Sequence, residues 1–260
     1  NIKIPGWRTQ PDLLLDLNNI TDDELNQAHS SQKHILLEYA NSHSQIAISK
    51  DILTIGFARR AAEYKRARLI FSDLDRLVKL GKNKLQIIFA GKAHPKDERG
   101  KDIIREVVEN ANKLKGSVKI IFLENYNMSL GHLITSGVDI WLNTPLRPNE
   151  ASGTSGMKAA LNGIPNLSTL DGWWAEGCIH GENGWAIGSP DSCDDQLDSE
   201  SLYQLLEDEV IPTFYNDRGK WTEMMRSSIQ GATGFTAHRM IKEYQQKFYQ
   251  NQEQEVLSST

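Results

Sequence analysis

The chain has 260 residues, 39% hydrophobic and 24% charged, with a formal net charge of −5. That is the composition of a soluble globular protein, long enough to bury about three-quarters of its unfolded surface in one large domain, and the acidic balance argues against nucleic acid as a partner. Two cysteines, Cys178 and Cys193, exclude a disulfide scaffold or a cysteine-rich metal site, no apolar run reaches the ~18 residues of a membrane span, and Asn1 to Trp7 lack the basic-then-apolar pattern of a signal peptide.

Residues 1–50 read as a linker and two helices, the second opened by the capping box Thr21-Asp-Asp-Glu24. Ile52–Phe57 then reads as a strand, followed by a helix from Glu63 to Leu80 with Ala67, Ile70, Leu74, Leu77 and Val78 on one face. Leu85–Ala90 is a second strand, Asp102–Leu114 a helix, Val118–Leu123 a third strand, Met128–Ser136 a short helix and Val138–Leu142 a fourth strand. A further helix starts near Ser152 or Thr154 and ends before Gly163. From Leu202 the pattern is helical, ending in a polar tail over 251–260. Alternating strands and helices predict an α/β domain over 51–250, a Rossmann-like open parallel sheet with helices on both faces.

Ligands in such sheets bind outside the carboxyl ends of the strands, so polar residues there are the first candidates. Arg59, Arg60, Lys65 and Arg66 follow strand one and crowd the positive end of the expected helix. A bound anion would resolve that conflict, and a solvated basic loop is the alternative. Glu150-Ala-Ser-Gly-Thr-Ser-Gly-Met-Lys158 combines small residues, which let backbone N–H groups approach a phosphate, with the Thr154 and Ser155 hydroxyls at a helix start. Its spacing to the lysine is not that of a Walker loop. Lys158 falls about one turn inside the helix. Apolar surroundings there would lower its pKa and suit Schiff-base chemistry, while a side chain that snorkels to water would not. Glu124-Asn-Tyr-Asn127 after strand three offers Tyr126 and asparagines to a ring ligand, or only a capping turn.

Taken together, Phe89-Ala-Gly-Lys-Ala-His-Pro95, Phe122-Leu-Glu-Asn-Tyr-Asn-Met-Ser-Leu130, Asn149 to Lys158 and Ser168-Thr-Leu-Asp-Gly-Trp-Trp174 resemble the α-glucan (glycogen, starch, maltodextrin) phosphorylases in order and spacing. The Trp173-Trp174 pair and Asn183–Gly188 resemble the shorter bacterial and archaeal branch. The resemblance covers about residues 50 to 190 and implies the C-terminal, Rossmann-like domain of a two-domain GT-B enzyme. It implies pyridoxal phosphate as cofactor, with Lys158 as the lysine that bonds it, Thr154, Ser155 and Arg59 on its phosphate and Tyr126 beside it. Arg60 and Lys65 match the pair that binds the substrate phosphate, and Glu150 the acid that holds sugar hydroxyls. Asn127 stands where the larger enzymes carry arginine.

The implied reaction is the retaining phosphorolysis of α-1,4-glucan ends to glucose 1-phosphate by inorganic phosphate in a cytoplasmic enzyme. The fragment is expected to be inactive without its N-terminal domain, because the half-cleft would leave Arg60, Lys65 and Glu150 in bulk water. His94 is read as a loop residue at the cleft edge, not a catalytic base, and Trp173 and Trp174 as an apolar wall near the cofactor. Two rivals stand beside this reading. One is a sugar-nucleotide-dependent, glycogen synthase-like transferase, against which Lys158 speaks. The other is a non-catalytic module that binds sugar or phosphate.

Overall fold

The computed structural model describes residues 3–191 and 193–249, so the tail expected from Asn251 lies outside the described residues. Six strands build one all-parallel sheet: Leu53–Ala58 (β1), Leu85–Ala90 (β2), Lys119–Leu123 (β3), Ile140–Asn143 (β4), Asn166–Thr169 (β5) and Gly184–Ile187 (β6). Their order is β3-β2-β1-β4-β5-β6. Every position of β1, β2, β4 and β5 is buried, as expected where helices cover both faces of a parallel sheet. The four strands read from the sequence are present, each shifted by no more than two residues at an end. The last two were not read; β5, no shorter than β4, is mostly polar. Its Thr169 hydroxyl is accommodated inside by donating to the Pro145 carbonyl (2.8 Å).

The helices are Asp22–Ser42 (α1), Leu74–Gly81 (α2), Glu98–Lys113 (α3), Met128–Gly137 (α4), Thr154–Leu161 (α5), Trp173–Gly177 (α6), Asp195–Leu205 (α7), Ile211–Asn216 (α8), Arg218–Ala232 (α9) and Ala237–Tyr244 (α10). One apolar cluster joins Ile55, Phe57, Ile87 and Phe89 to α2, α3 and α7–α9. A second joins Ala58, Ile88, Ile121 and Trp141 to Leu36 of α1, Ile134 of α4 and Ala159 of α5. The expected capping box opens α1: Glu24 N donates to Thr21 Oγ1 (3.2 Å) and Thr21 N to Glu24 Oε2 (3.0 Å).

A buried ion pair ties α1 to the sheet. Lys33 Nζ donates to Asp139 Oδ2 (2.5 Å) and to the Ile52 carbonyl (2.9 Å), while His29 Nε2 lies 3.0 Å from Asp139 Oδ1. Burial works against the Asp139 carboxylate, but Lys33 and His29 outweigh it and hold its pKa below the ordinary value.

The long helix expected from Glu63 to Leu80 is not there. Residues 63–65 and 69–71 form separate 3-10 turns, Arg66 between them is left-handed (φ 47°), and regular helix begins only at Leu74, capped by Asp73. Arg59 to Arg66 therefore do not crowd the start of an α-helix, and the conflict with a macrodipole does not arise. Ala67, Ile70 and Leu77 are buried all the same, which is the pattern the periodicity had detected.

Candidate functional site

In this strand order β1 and β4 are neighbours, and the chain leaves them in opposite directions. Their carboxyl ends border the crevice where open α/β sheets take their ligands. The connection after β1 carries Arg59, Arg60 and Lys65, and that after β4 carries Glu150.

Arg59 is fixed because its backbone N–H donates to the Ala90 carbonyl (3.1 Å), extending the β1–β2 pairing. Its side chain is buried, and Nη2 donates to Glu150 Oε2 (2.5 Å). Lys65, buried at the end of the 63–65 turn, donates to the same carboxylate oxygen and lies 4.5 Å from the Tyr64 ring centroid. Glu150 is anchored by its own N–H on Asp171 Oδ2 (2.9 Å). Burial opposes its ionisation, but Lys65 and Arg59 prevail and hold its carboxyl below the ordinary range.

Two cations thus share one carboxylate, and the surplus is positive. Moreover, Arg59 Nη1 is buried with no hydrogen-bond partner among the described residues. A buried guanidinium nitrogen left unpaired is costly, and an anion would satisfy it.

Helix α5 starts beside this cluster. Gly153, its N-cap, has φ +85° and a Cα against Glu150, so that an added Cβ would lie 3.6 Å from Glu150 Cγ. Among the described residues no side chain caps α5, and although Gly156 N donates to the Gly153 carbonyl (3.0 Å), the N–H groups of Thr154 and Ser155 remain available to a ligand. Gly156 admits nothing larger, since a Cβ would meet Asn166 Oδ1 at 2.6 Å and Trp173 Nε1 at 2.9 Å.

Beyond α5 opens a cleft of about 700 Å3, lined by Ser152, Thr154, Met157, Lys158, Trp173, Trp7 and the α10 side chains Met240 and Tyr244. Lys158 is exposed in it and not interior, although Ala159 and Ala160 beside it are buried. The lysine faces the cleft while its neighbours face the core.

Of the candidate residues, Arg59, Lys65 and Glu150 are in contact, and Tyr126 stands near them. Its hydroxyl is raised in pKa by burial, against the opposing field of Arg59. Thr154 and Lys158 share the cleft, and Ser155 is half-buried in the first turn of α5. Arg60 is exposed and takes no part in the ion pairs. Lys65 and Glu150, expected in bulk water, are about nine-tenths covered and paired with each other. Asn127 caps α4 by accepting from Leu130 N (2.9 Å). His94 is an exposed turn residue whose Nδ1 accepts from Lys96 N (3.1 Å). Trp173 lines the cleft, whereas Trp174 lies behind it and donates to the Trp185 carbonyl. Trp7 and the α10 face escaped the sequence reading. The one signal was an aromatic inside an otherwise irregular N-terminal segment.

The family model for carbohydrate phosphorylases matches residues 1–182. The chain belongs to the carbohydrate phosphorylase family. It is 46% identical to a maltodextrin phosphorylase of Thermococcus litoralis over 94% of this chain, and 42% identical to a glycogen phosphorylase of Aquifex aeolicus over 90%. A glycogen phosphorylase of Mycobacterium tuberculosis is 45% identical over 78% of the chain. The chain spans only 32%, 38% and 25% of the length of these three relatives. Among the described residues no helix is long and apolar enough to cross a membrane.

Proposed function

We propose that the chain is the cofactor- and phosphate-binding domain of an α-glucan phosphorylase, working in the cytoplasm with a partner N-terminal domain to release glucose 1-phosphate from α-1,4-glucan ends. The observation that carries this reading is the buried Arg59–Glu150–Lys65 cluster, with Arg59 Nη1 unpaired beside the uncapped start of α5.

The residues present fit pyridoxal phosphate. Lys158 offers an exposed amine in a cleft flanked by Trp7 and Trp173, and the α5 N–H groups with Arg59 suit a phosphate. Bound there, the cofactor would supply a phosphate that exchanges a proton with the substrate phosphate. The remaining work falls to the chain's own groups. Lys65 holds the attacking phosphate by charge, and Arg60, free of ion pairs on the surface, swings onto it. Glu150 leaves the cations as the anion enters and accepts hydrogen bonds from the sugar hydroxyls. The cation surplus then faces a glucosyl centre that becomes oxocarbenium-like, keeping phosphate close to the developing charge. Burial of Lys65 and Arg59 makes that field stronger than it would be in water.

Turnover of the full-length protein tests the proposal. Glucose 1-phosphate should form from maltodextrin and phosphate with pyridoxal phosphate supplied, and the 260-residue chain alone should form none. Glucosyl transfer from a sugar nucleotide in place of phosphorolysis would instead favour the synthase-like rival.

A further inference from the structure

Behind the anion cluster lies a second buried charge network that the mechanism does not use. Asp198, in the first turn of α7, is fully buried. Its Oδ2 accepts from Arg66 Nη2 (2.6 Å) and its Oδ1 from Arg147 Nη2 (2.8 Å). Arg66 directly follows Lys65, and Arg147 precedes Glu150 by three residues in the connection after β4. One carboxylate on a third element therefore grips both loops that meet at the site.

We infer that Asp198 is a positioning residue of the anion site, holding Lys65 and Glu150 in register by clamping Arg66 and Arg147 from behind. This inference rests on the function proposed above and goes beyond it by assigning the device that assembles the site.

Three observations support it. First, apart from the Glu150 ion pairs themselves, the two loops are joined through Arg66 and its neighbours. Arg66 donates to the Thr144 and Pro145 carbonyls (2.8 and 3.1 Å), Thr144 Oγ1 to the Lys65 and Arg66 carbonyls (3.0 and 3.1 Å), and Leu146 N to the Tyr64 carbonyl (2.6 Å). Second, both guanidinia are buried. Without Asp198 they would face each other as like charges in a low dielectric, and the loops would part. Asp195, the other carboxylate on Arg66, is largely exposed and cannot replace it. Third, the fold reserves the space. Gly188 (φ +69°) approaches so closely that an added Cβ would overlap Asp198 Oδ1. Arg66 is held left-handed, a conformation rare for a non-glycine residue, in the geometry that lets it reach Asp198.

The test compares Asp198→Asn with Asp139→Asn. The second change also removes a buried carboxylate from its cation, but in the α1 network, outside both loops. Two properties are measured on folded protein, below each variant's melting point. One is the Glu150 carboxyl titration by carbon-13 NMR, which needs no ligand, and the other is affinity for inorganic phosphate. Asp198→Asn should move the Glu150 pKa back toward the ordinary carboxylate value and, because the parted loops take Arg59 and Lys65 away from the start of α5, weaken phosphate binding at least about tenfold. Asp139→Asn should lower the melting temperature and change neither. If Asp198→Asn does not fold, Arg147→Lys, which keeps the buried charge but loses the planar fork, should show the same two changes. An unmoved Glu150 titration in the folded variant overturns the inference. A moved titration in a protein whose wild type binds no phosphate upholds the clamp and removes the functional reading instead.

Discussion

Among the described residues Glu150 is the only carboxylate on Arg59 and Lys65, and replacing it by Gln removes that charge while keeping the shape. Glu150 is about nine-tenths buried, and the two cations are at least as well covered. Breaking a buried pair by removing one partner costs about 3–5 kcal/mol. For a domain of this size each kcal/mol moves Tm by about 2–4 °C, so the variant should melt about 6–20 °C lower in phosphate-free buffer at pH 7. Phosphate reverses the penalty. In the wild type the anion must displace the Glu150 carboxylate, whereas in the variant the cations wait unpaired. Charge-assisted hydrogen bonds are worth about 1.5–3 kcal/mol, so the variant should bind phosphate about ten- to a hundredfold more tightly and regain more Tm on adding it. The pH dependence has a definite sign. Glu150 is depressed in the folded state, so its contribution is present above the unfolded carboxylate pKa and is lost as pH falls through the folded value. The gap between the two proteins should close in acid. Thermal melts by circular dichroism, with phosphate varied at pH 7 and again near pH 4, read all of this. Equal melting temperatures at pH 7, or an equal gain from phosphate, would refute the reasoning.

Two further outcomes follow from the same geometry. Lys158→Ala should abolish covalent capture of pyridoxal phosphate, read by absorbance after borohydride, and shift stability by no more than about 0.5 kcal/mol because the side chain is exposed. Capture through another lysine would refute the assignment. Asp139→Asn should cost about 3–5 kcal/mol by stranding the buried Lys33 ammonium. Since Asp139 is depressed by Lys33 and His29 against burial, that stability is present above the unfolded carboxylate pKa and is lost as pH falls through the folded value. Denaturant melts at pH 7 and in acid check both, and a variant as stable as the wild type at pH 7 would contradict the account.

The sheet was legible because its first four strands are mostly apolar runs between amphipathic stretches. The capping box at Thr21 was legible because its partners are three residues apart. What escaped depends on partners far along the chain. Arg66 breaks the expected helix as its guanidinium finds Asp198, 132 residues on, and no local propensity records that. The apolar neighbours of Lys158 left both an interior and a water-facing side chain open, and the fold settles on the second because residues adjacent on a helix face different ways. Strand β5 hides polar residues whose hydrogen bonds only the fold supplies. At the candidate site the residue types were readable from motifs, while the shared use of Glu150 by two cations, the cover this gives Lys65 and the role of Trp7 in the cleft needed three dimensions.

Whether the carboxyl ends of β1 and β4 form a phosphate site is measured most directly by amide NMR of the isolated chain during a phosphate titration. Saturable shifts at millimolar phosphate are predicted for residues 58–66 and 150–156, around Arg59, Lys65 and the first turn of α5. Silence at those amides, or a response confined to other parts of the chain, would contradict it.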